Sequence, residues 1–264
     1  MSILLFSPVR CEPDVLSLTL PQWKQQGCDE LWVLDDNGNE ASSNLLRADC
    51  DLVKLHIHRP RSNYHLHSWT KGLANRLGAI KDRVIEQFLK TKHQYLFLVD
   101  ADLLLVPGTV PHLLDSSILA DDAVICSVFW TKWSPDDWWK PNVWDWHHYG
   151  FDEAASILRW KAPTVAEVGG LGACTLIPRG ILEDGARFRP IKGLQGWEDR
   201  HFCISVTSRE GKLAASSYLP PFHIYRPEML QAAAAWQADG YRREWFNERW
   251  LDEGWERQVR GSFG

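Results

Sequence analysis

His93-Gln-Tyr-Leu-Phe-Leu-Val-Asp-Ala-Asp102 is the stretch on which the fold turns. Tyr95 to Val99 is an unbroken apolar run. It reads as a strand buried on both faces, near the centre of a mostly parallel sheet. It ends in Asp100-Ala101-Asp102, and a buried strand has no use for two carboxylates. They should project from its C-terminal end, where ligands bind in open α/β sheets. Two positions apart on an extended backbone, they point the same way. Such a pair suits Mg²⁺ or Mn²⁺, metals that commonly also hold substrate phosphates. The competing reading is a solvated strand end with helix-capping aspartates.

Working outward toward the N-terminus, Ile3 to Phe6 reads as a short strand that breaks at Ser7-Pro-Val-Arg-Cys-Glu-Pro-Asp14. Val15, Leu16, Leu18, Leu20 and Trp23 follow at broadly helical spacing, up to a stop at Gly27. Glu30 to Leu34 is a further strand, closed by the turn Asp35-Asp36-Asn37-Gly38-Asn39. Asp51 to Ile57 is a third. A loop with His56, His58, Arg59, Arg61, His65 and His67 comes next. A helix then runs from Trp69 to Lys90, capped by Ser68, with Leu73, Leu77, Ile80, Val84 and Phe88 as its buried stripe. Strands and helices thus alternate, which predicts parallel pairing with right-handed crossovers. The expected fold class is α/β: one Rossmann-like domain, its mostly parallel central sheet flanked by helices.

The C-terminal half is less regular. Ala123 to Phe129 is a strand, followed by a long aromatic loop or hairpin from Trp130 to Trp146 that holds six of the 15 tryptophans. Val168-Gly-Gly-Leu-Gly-Ala-Cys-Thr-Leu-Ile177 offers glycines for close backbone approach before a strand that returns to the core. Gly193 to Phe202 opens a helix, and Phe222-His-Ile-Tyr-Arg-Pro227 ends a short strand. The tail from Glu228 to Arg260 is helical and rich in Trp and Arg. The division expected is a main domain over 1–226 and a helical extension over 227–264 packed on it.

Composition narrows the function classes. At 264 residues, 45% hydrophobic and 24% charged, the chain can bury a large core. A net charge of -5 gives no reason to expect nucleic acid as a partner. Cys11, Cys28, Cys50, Cys126, Cys174 and Cys203 are scattered without a CxxC pair, as expected of a reduced, cytoplasmic protein. Met-Ser-Ile-Leu-Leu-Phe-Ser-Pro lacks the basic leader of a secretory signal. No apolar stretch approaches the roughly 20 residues of a membrane span.

Five segments in order now carry a resemblance. Ser7-Pro-Val-Arg-Cys-Glu-Pro-Asp14, Trp32-Val-Leu-Asp-Asp-Asn37, Phe97-Leu-Val-Asp-Ala-Asp102, Val168 to Pro178 and Gly196-Trp-Glu-Asp199 together resemble the GT-A fold glycosyltransferases, most closely the family 2 type. Ser7 to Asp14 is similar to that family's P-V-x-N-E strand exit, with Cys11 in place of Asn. Trp32 to Asn37 is similar to its V-D-D-x-S turn, with Gly38 in place of Ser. Phe97 to Asp102 is similar to its DxD motif. Val168 to Pro178 resembles the segment lining the acceptor side, and Gly196 to Asp199 the acidic pair opening a later helix.

The resemblance implies a metal-dependent enzyme that moves a sugar, a hexose foremost, from a UDP- or GDP-linked donor to an acceptor hydroxyl, inverting by single displacement. Retaining GT-A enzymes share the DxD. The leaving diphosphate needs charge neutralisation, which Mn²⁺ or Mg²⁺ supplies. Asp102 would bind the metal directly, and Asp100 through water unless it holds the ribose. His223 is placed like the family's C-terminal metal-binding histidine; its other reading is a core histidine. Pro8, Val9, Arg10 and Glu12 would line the base and ribose pocket, with Arg10 able to pair with phosphate. Asp35 and Asp36 would accept hydrogen bonds from nucleobase or ribose, or form a plain Asx turn. Arg76 falls where members carry a nucleotide-facing basic residue, although Asn75-Arg76 inverts the usual order. Asp199 would be the base and Glu198 would orient the acceptor; otherwise both are acids favoured at a helix N-terminus.

Several alternatives stay open. The tryptophan loop could stack on an acceptor sugar, sit in a lipid interface near a lipid-linked acceptor, or form a homodimer contact or a buried subdomain core. The acceptor itself is a glycan, a lipid-linked molecule or a small molecule, and peripheral contact with the inner face of a membrane is compatible with all three. The two HxH pairs between His56 and His67 allow a zinc site. A sugar-phosphate nucleotidyltransferase is the main rival, but residues 3–14 contain no glycine for a triphosphate loop. A DxD phosphatase wants a hydroxyl where Leu104 stands. A carbohydrate-binding module would explain the tryptophans and not the acids.

Overall fold

The computed structural model describes residues 1–55, 70–131, 139–145 and 159–246. In chain order the first half runs β1 (Ile3–Val9), α1 (Pro13–Lys24), β2 (Glu30–Asp35), α2 (Glu40–Asp49), β3 (Leu52–Leu55), α3 (Lys71–Phe88), β4 (Tyr95–Leu98), β5 (Leu103–Leu104) and α4 (Thr109–Leu119). The C-terminal half runs β6 (Val124–Ser127), β7 (Trp130–Thr131), β8 (Lys140–Pro141), β9 (Val143–Trp144), β10 (Val165–Glu167), β11 (Gly170–Leu171) and β12 (Thr175–Pro178). It continues with α5 (Arg179–Glu183), α6 (Glu198–Thr207), β13 (Leu213–Ser216), β14 (Phe222–His223) and α7 (Leu230–Ala238).

The main sheet has the order β10-β13-β6-β12-β4-β1-β2-β3. β3, β2, β1 and β4 are mutually parallel, and β6 pairs with β13 in parallel. Only β12 and β10 run against them. Side chains alternate across the sheet, as a period of two requires. Leu4, Phe6, Leu96 and Leu98 face one core with Ile80, Val84 and Phe88 of α3 and Phe202 of α6. Leu5, Val9, Phe97 and Val99 face the other with Leu16, Leu20 and Trp23 of α1 and Leu113 of α4. The expected α/β class with a mostly parallel sheet is the observed one.

Boundaries differ for physical reasons. β1 runs on through Pro8 to Val9 because its ladder with β4 stops at Phe6, so the missing proline N–H faces no partner there. Periodicity alone gives no sign of α2, which Asn39 caps by accepting from Ser42 N at 2.7 Å. The same holds for α4, entered through Gly108 at φ 84°. Thr70, accepting from Leu73 N at 3.2 Å, caps α3 instead of Ser68, which lies outside the described residues. Leu73 and Leu77 are only half buried; Ala74, Gly78 and Lys81 take the inner face. Small residues there let α3 approach α6. A Cβ on Gly78 would stand 3.0 Å from the Phe188 carbonyl oxygen and 3.1 Å from Glu198 Cβ.

The described part of the tryptophan segment is a hairpin, not an open loop: β7 pairs with β8, and β9 with β11. The Trp144 ring fills the space over Gly170, where a Cβ would overlap it. Trp133, Trp138 and Trp146 lie outside the described residues, as does the His56–His67 loop. Past β14 the chain returns to the core. Trp236 is fully buried, and it, Trp245 and Phe246 pack around Phe222 at ring separations of 5.5–5.8 Å. Among the described residues, no helix is long and apolar enough to cross a membrane.

Candidate active site

Three groups of side chains collect at the C-terminal ends of the parallel strands. One is the turn after β2. The register of β1 and β2 sets Val9 beside Asp35, and Asp36 N donates to Val9 O at 2.8 Å. Asp35 Oδ1 accepts from Asn37 N at 3.0 Å and Asn37 Nδ2 at 2.9 Å, an Asx turn. Asn37 Oδ1 in turn accepts from Cys11 N at 2.8 Å. The other oxygen of Asp35 is buried with no hydrogen-bond partner. A buried acceptor left open is costly unless something donates to it. Asp36 pairs with Arg76 Nη2 at 2.7 Å, so the α3 arginine reaches this turn despite the inverted order. Pro8, Val9 and Arg10 close β1 on the same side, and Glu12 is the exposed residue before α1.

The DxD forms another group. The backbone leaves the extended form after Val99, and Leu103 N donates to Asp100 O at 3.2 Å in a tight turn. The same-side argument for an extended strand therefore does not apply here. The acids remain neighbours: burial, then the charges of Asp102 and Asp199, push the Asp100 carboxyl up to about 6 against the pull of Lys81 and His223. β5 and β14 pair, Leu103 opposite His223, and Ile224 N donates to Asp102 O at 2.8 Å. This brings His223 Nε2 to 3.3 Å from Asp102 Oδ2. On the ring's far side Nδ1 lies 2.7 Å from the Thr131 hydroxyl of β7. Asp102 Oδ1 is buried and unpartnered. Among the described residues, no three His, Cys, Asp or Glu side chains form a closed metal cluster.

The third group opens α6. Glu198 and Asp199 stand in its first turn, where the helix dipole favours acids. Between them sits Lys81 of α3, only 4% exposed, with Nζ 2.8 Å from Asp199 Oδ1 and 3.2 Å from Glu198 Oε1. Burial works against the Lys81 charge. Asp199, Glu198 and Asp100 outweigh it and hold the ammonium above the ordinary lysine range. Glu198 is also 4% exposed, and burial pushes its carboxyl up to about 7 although Lys81 pulls it down. It faces into the protein, so a direct hold on an acceptor is not what its position offers. Asp199, 27% exposed, borders a small cleft with Gly172, Thr175 and Phe202. Trp197, 40% exposed, stands just before it.

Lys81 and Thr131 contact the candidate residues, and the motifs do not mark them. Lys81 has a signal in the sequence: it falls four residues after Leu77 and three before Val84, inside a stripe that should be apolar. Thr131 has none, since its partner is 92 residues away.

The sheet order and the site at its strand ends define a GT-A-like Rossmann fold. Among solved structures the chain is similar to S. aureus TarS, at 11% identity and TM-score 0.52 over 94% of this chain and 44% of that one. It is similar also to S. aureus TarS 1–349, at 13% identity and TM-score 0.53 over 94% and 73%. A third is TarS 1–349 in complex with UDP, at 13% and 0.53 over 84% and 60%. The chain thus spans less than half the length of the first of these. No family model and no curated protein matches the sequence.

Proposed function

We propose that the protein is a glycosyltransferase that moves a hexose from a nucleotide-diphosphate sugar, UDP- or GDP-linked, to an acceptor hydroxyl. One observation carries this reading: Leu98, at the end of the strand that runs into the DxD, lines one cleft with Lys81 and Asp199, so DxD and acidic pair meet at one site. The UDP in one TarS structure supports a uridine donor. The buried, open oxygen of Asp35 suits a nucleobase or ribose donor group, while Asp36 and Arg76 brace the turn.

The residues fit a divalent cation, Mn²⁺ or Mg²⁺. Asp102 has an unpartnered buried oxygen and His223 lies against its other oxygen, while Asp100 would join through water. Two or three protein ligands leave room for diphosphate oxygens, as is usual for such ions. A bound cation would neutralise the leaving diphosphate. Thr131 fixes the ring of His223 from behind.

Asp199 is the group placed to accept a proton. As an acceptor hydroxyl attacks the anomeric carbon, Asp199 takes its proton and the bond to the diphosphate breaks, with inversion. The two carboxylates act at different moments: Asp102 holds the donor and Asp199 activates the acceptor. Glu198 lies behind Asp199 as a buried counter-charge to Lys81. Unpaired thiols at all six cysteines fit a reducing cytoplasm.

The test uses UDP-glucose, UDP-N-acetylglucosamine and GDP-mannose with and without Mn²⁺. Asp102→Ala should abolish Mn²⁺-dependent donor turnover. Asp199→Asn should keep UDP binding and lose transfer. Turnover by the unaltered protein that ignores Mn²⁺ would remove the metal assignment, and normal transfer by Asp199→Asn would remove the base.

A further inference from the structure

We infer that Lys81 is a positioning residue for the base: it grips one oxygen of Asp199 and leaves the other turned toward the acceptor cleft. The inference rests on Asp199 being the base.

A buried ammonium needs a counter-charge, and Glu198, as enclosed as Lys81 itself, would suffice. The lysine nevertheless makes its shorter contact, 2.8 Å, to Asp199, the acid that reaches solvent. Glu198 keeps a longer contact to Lys81, 3.2 Å through Oε1, and its Oε2 is buried without a partner, which is unfavourable for stability alone. The arrangement is better explained as one that serves the Asp199 carboxylate. Its Oδ1 is taken by Lys81, so a proton acceptor must be Oδ2. That oxygen lies beside Gly172, 3.6 Å from where a Cβ there would stand, and Gly172 lines the same cleft.

Lys81 itself is held on every side. Its ammonium lies 4.9 Å from the Phe188 ring centre, and Phe188 stacks on Phe202 of α6 at 4.1 Å. The next residue, Asp82, accepts from Phe188 N at 2.7 Å, and Gly78 seats α3 against the same segment. A base supported by locked neighbours on two helices keeps its reactive geometry.

The test keeps net charge constant. At pH 8, above the raised value of about 7 for Glu198, Lys81, Glu198 and Asp199 sum to -1, and so does Asp199 alone in Lys81→Met/Glu198→Gln. We expect that variant to fold, bind UDP with unchanged affinity and keep its donor KM, while kcat falls by about 100-fold, the usual cost of a misplaced reacting group. Glu198→Gln alone keeps the Lys81–Asp199 contact and should retain kcat within about fivefold, a change of roughly 1 kcal/mol. Lys81→Leu/Glu198→Gln, with a shorter apolar side chain, is the second variant with the same expected outcome should methionine not be accommodated. A charge-preserving double variant with wild-type kcat overturns the inference. If Asp199→Asn loses transfer in the same assay, only the Lys81 role falls; if Asp199→Asn transfers normally, the base assignment falls with it.

Discussion

The proposed donor side and the proposed acceptor side of the cleft are built in different ways. Around β1 and β2 the polar groups are held by contacts of shorter range, at most 40 positions for Arg76 and Asp36. Asp35 Oδ1 is satisfied by Asn37 two residues on, and Asp36 N by the neighbouring strand. On the other side each contact joins distant parts of the chain. Lys81 of α3 meets Glu198 across 117 positions and Asp199 across 118. Local turns can be tuned for a ligand without disturbing the core. The acceptor side is bound up with how α3 and α6 pack, so changes there should damage catalysis and folding together.

The largest effect should come from the acceptor side. Asp199→Asn is expected to lower kcat by about 10³-fold with little change in donor KM, within the range for loss of a general base. A fall confined to KM would mean that both sides serve binding and would break the contrast.

Gly78→Val comes next and tests the packing link. Its side chain would push on the Phe188 carbonyl and on Glu198 Cβ. Overpacking of this kind costs about 2 kcal/mol. Thermal unfolding should show the loss, and transfer should fall with it although residue 78 touches no substrate. Full activity in a destabilised variant would show that α3 and the base are independent.

The donor side should behave oppositely. Asp36→Ala removes the partner of Arg76, and donor KM should rise about tenfold with kcat nearly constant, the loss expected for one charged hydrogen bond. Steady-state kinetics with UDP-glucose over a range of Mn²⁺ concentrations would show it. A kcat effect larger than the KM effect would place Asp36 in the chemistry.

The same contrast governs what the sequence could reveal. Strand ends with acids announced the donor side, because an apolar run followed by Asp100 or Asp35 is a local pattern. The parallel half-sheet followed from alternation. α2 and α4 escape detection because their short apolar patterns are weak: α2 buries only Ser42, Ser43 and Leu46. The antiparallel insertion of β12 between β4 and β6 has no local signature, since partners 77 to 83 residues apart decide it. Lys81 was legible as a charge in an apolar stripe, but its two acids lie beyond the reach of periodicity.

The smallest effect concerns pH and Glu198. Burial raises its carboxyl to about 7 in the folded protein, while an unfolded glutamate titrates near 4.3. Between these values the folded state holds a proton that the unfolded state has released. Stability therefore falls as pH rises from about 4.5 toward 7. Lys81 adds no slope there, because its raised value keeps it charged in both states below about 10. Asp100, pushed the same way to about 6, adds a slope of its own. Glu198→Gln should remove only its share, on the order of 1 kcal/mol across the window, leaving a flatter but not level profile. Urea unfolding of both proteins at pH 5 and pH 7 measures it. Equal slopes would mean that Glu198 is ionised throughout, with Lys81 as a full ion-pair partner, and the carboxylate would then be an equal member of the acceptor-side triad.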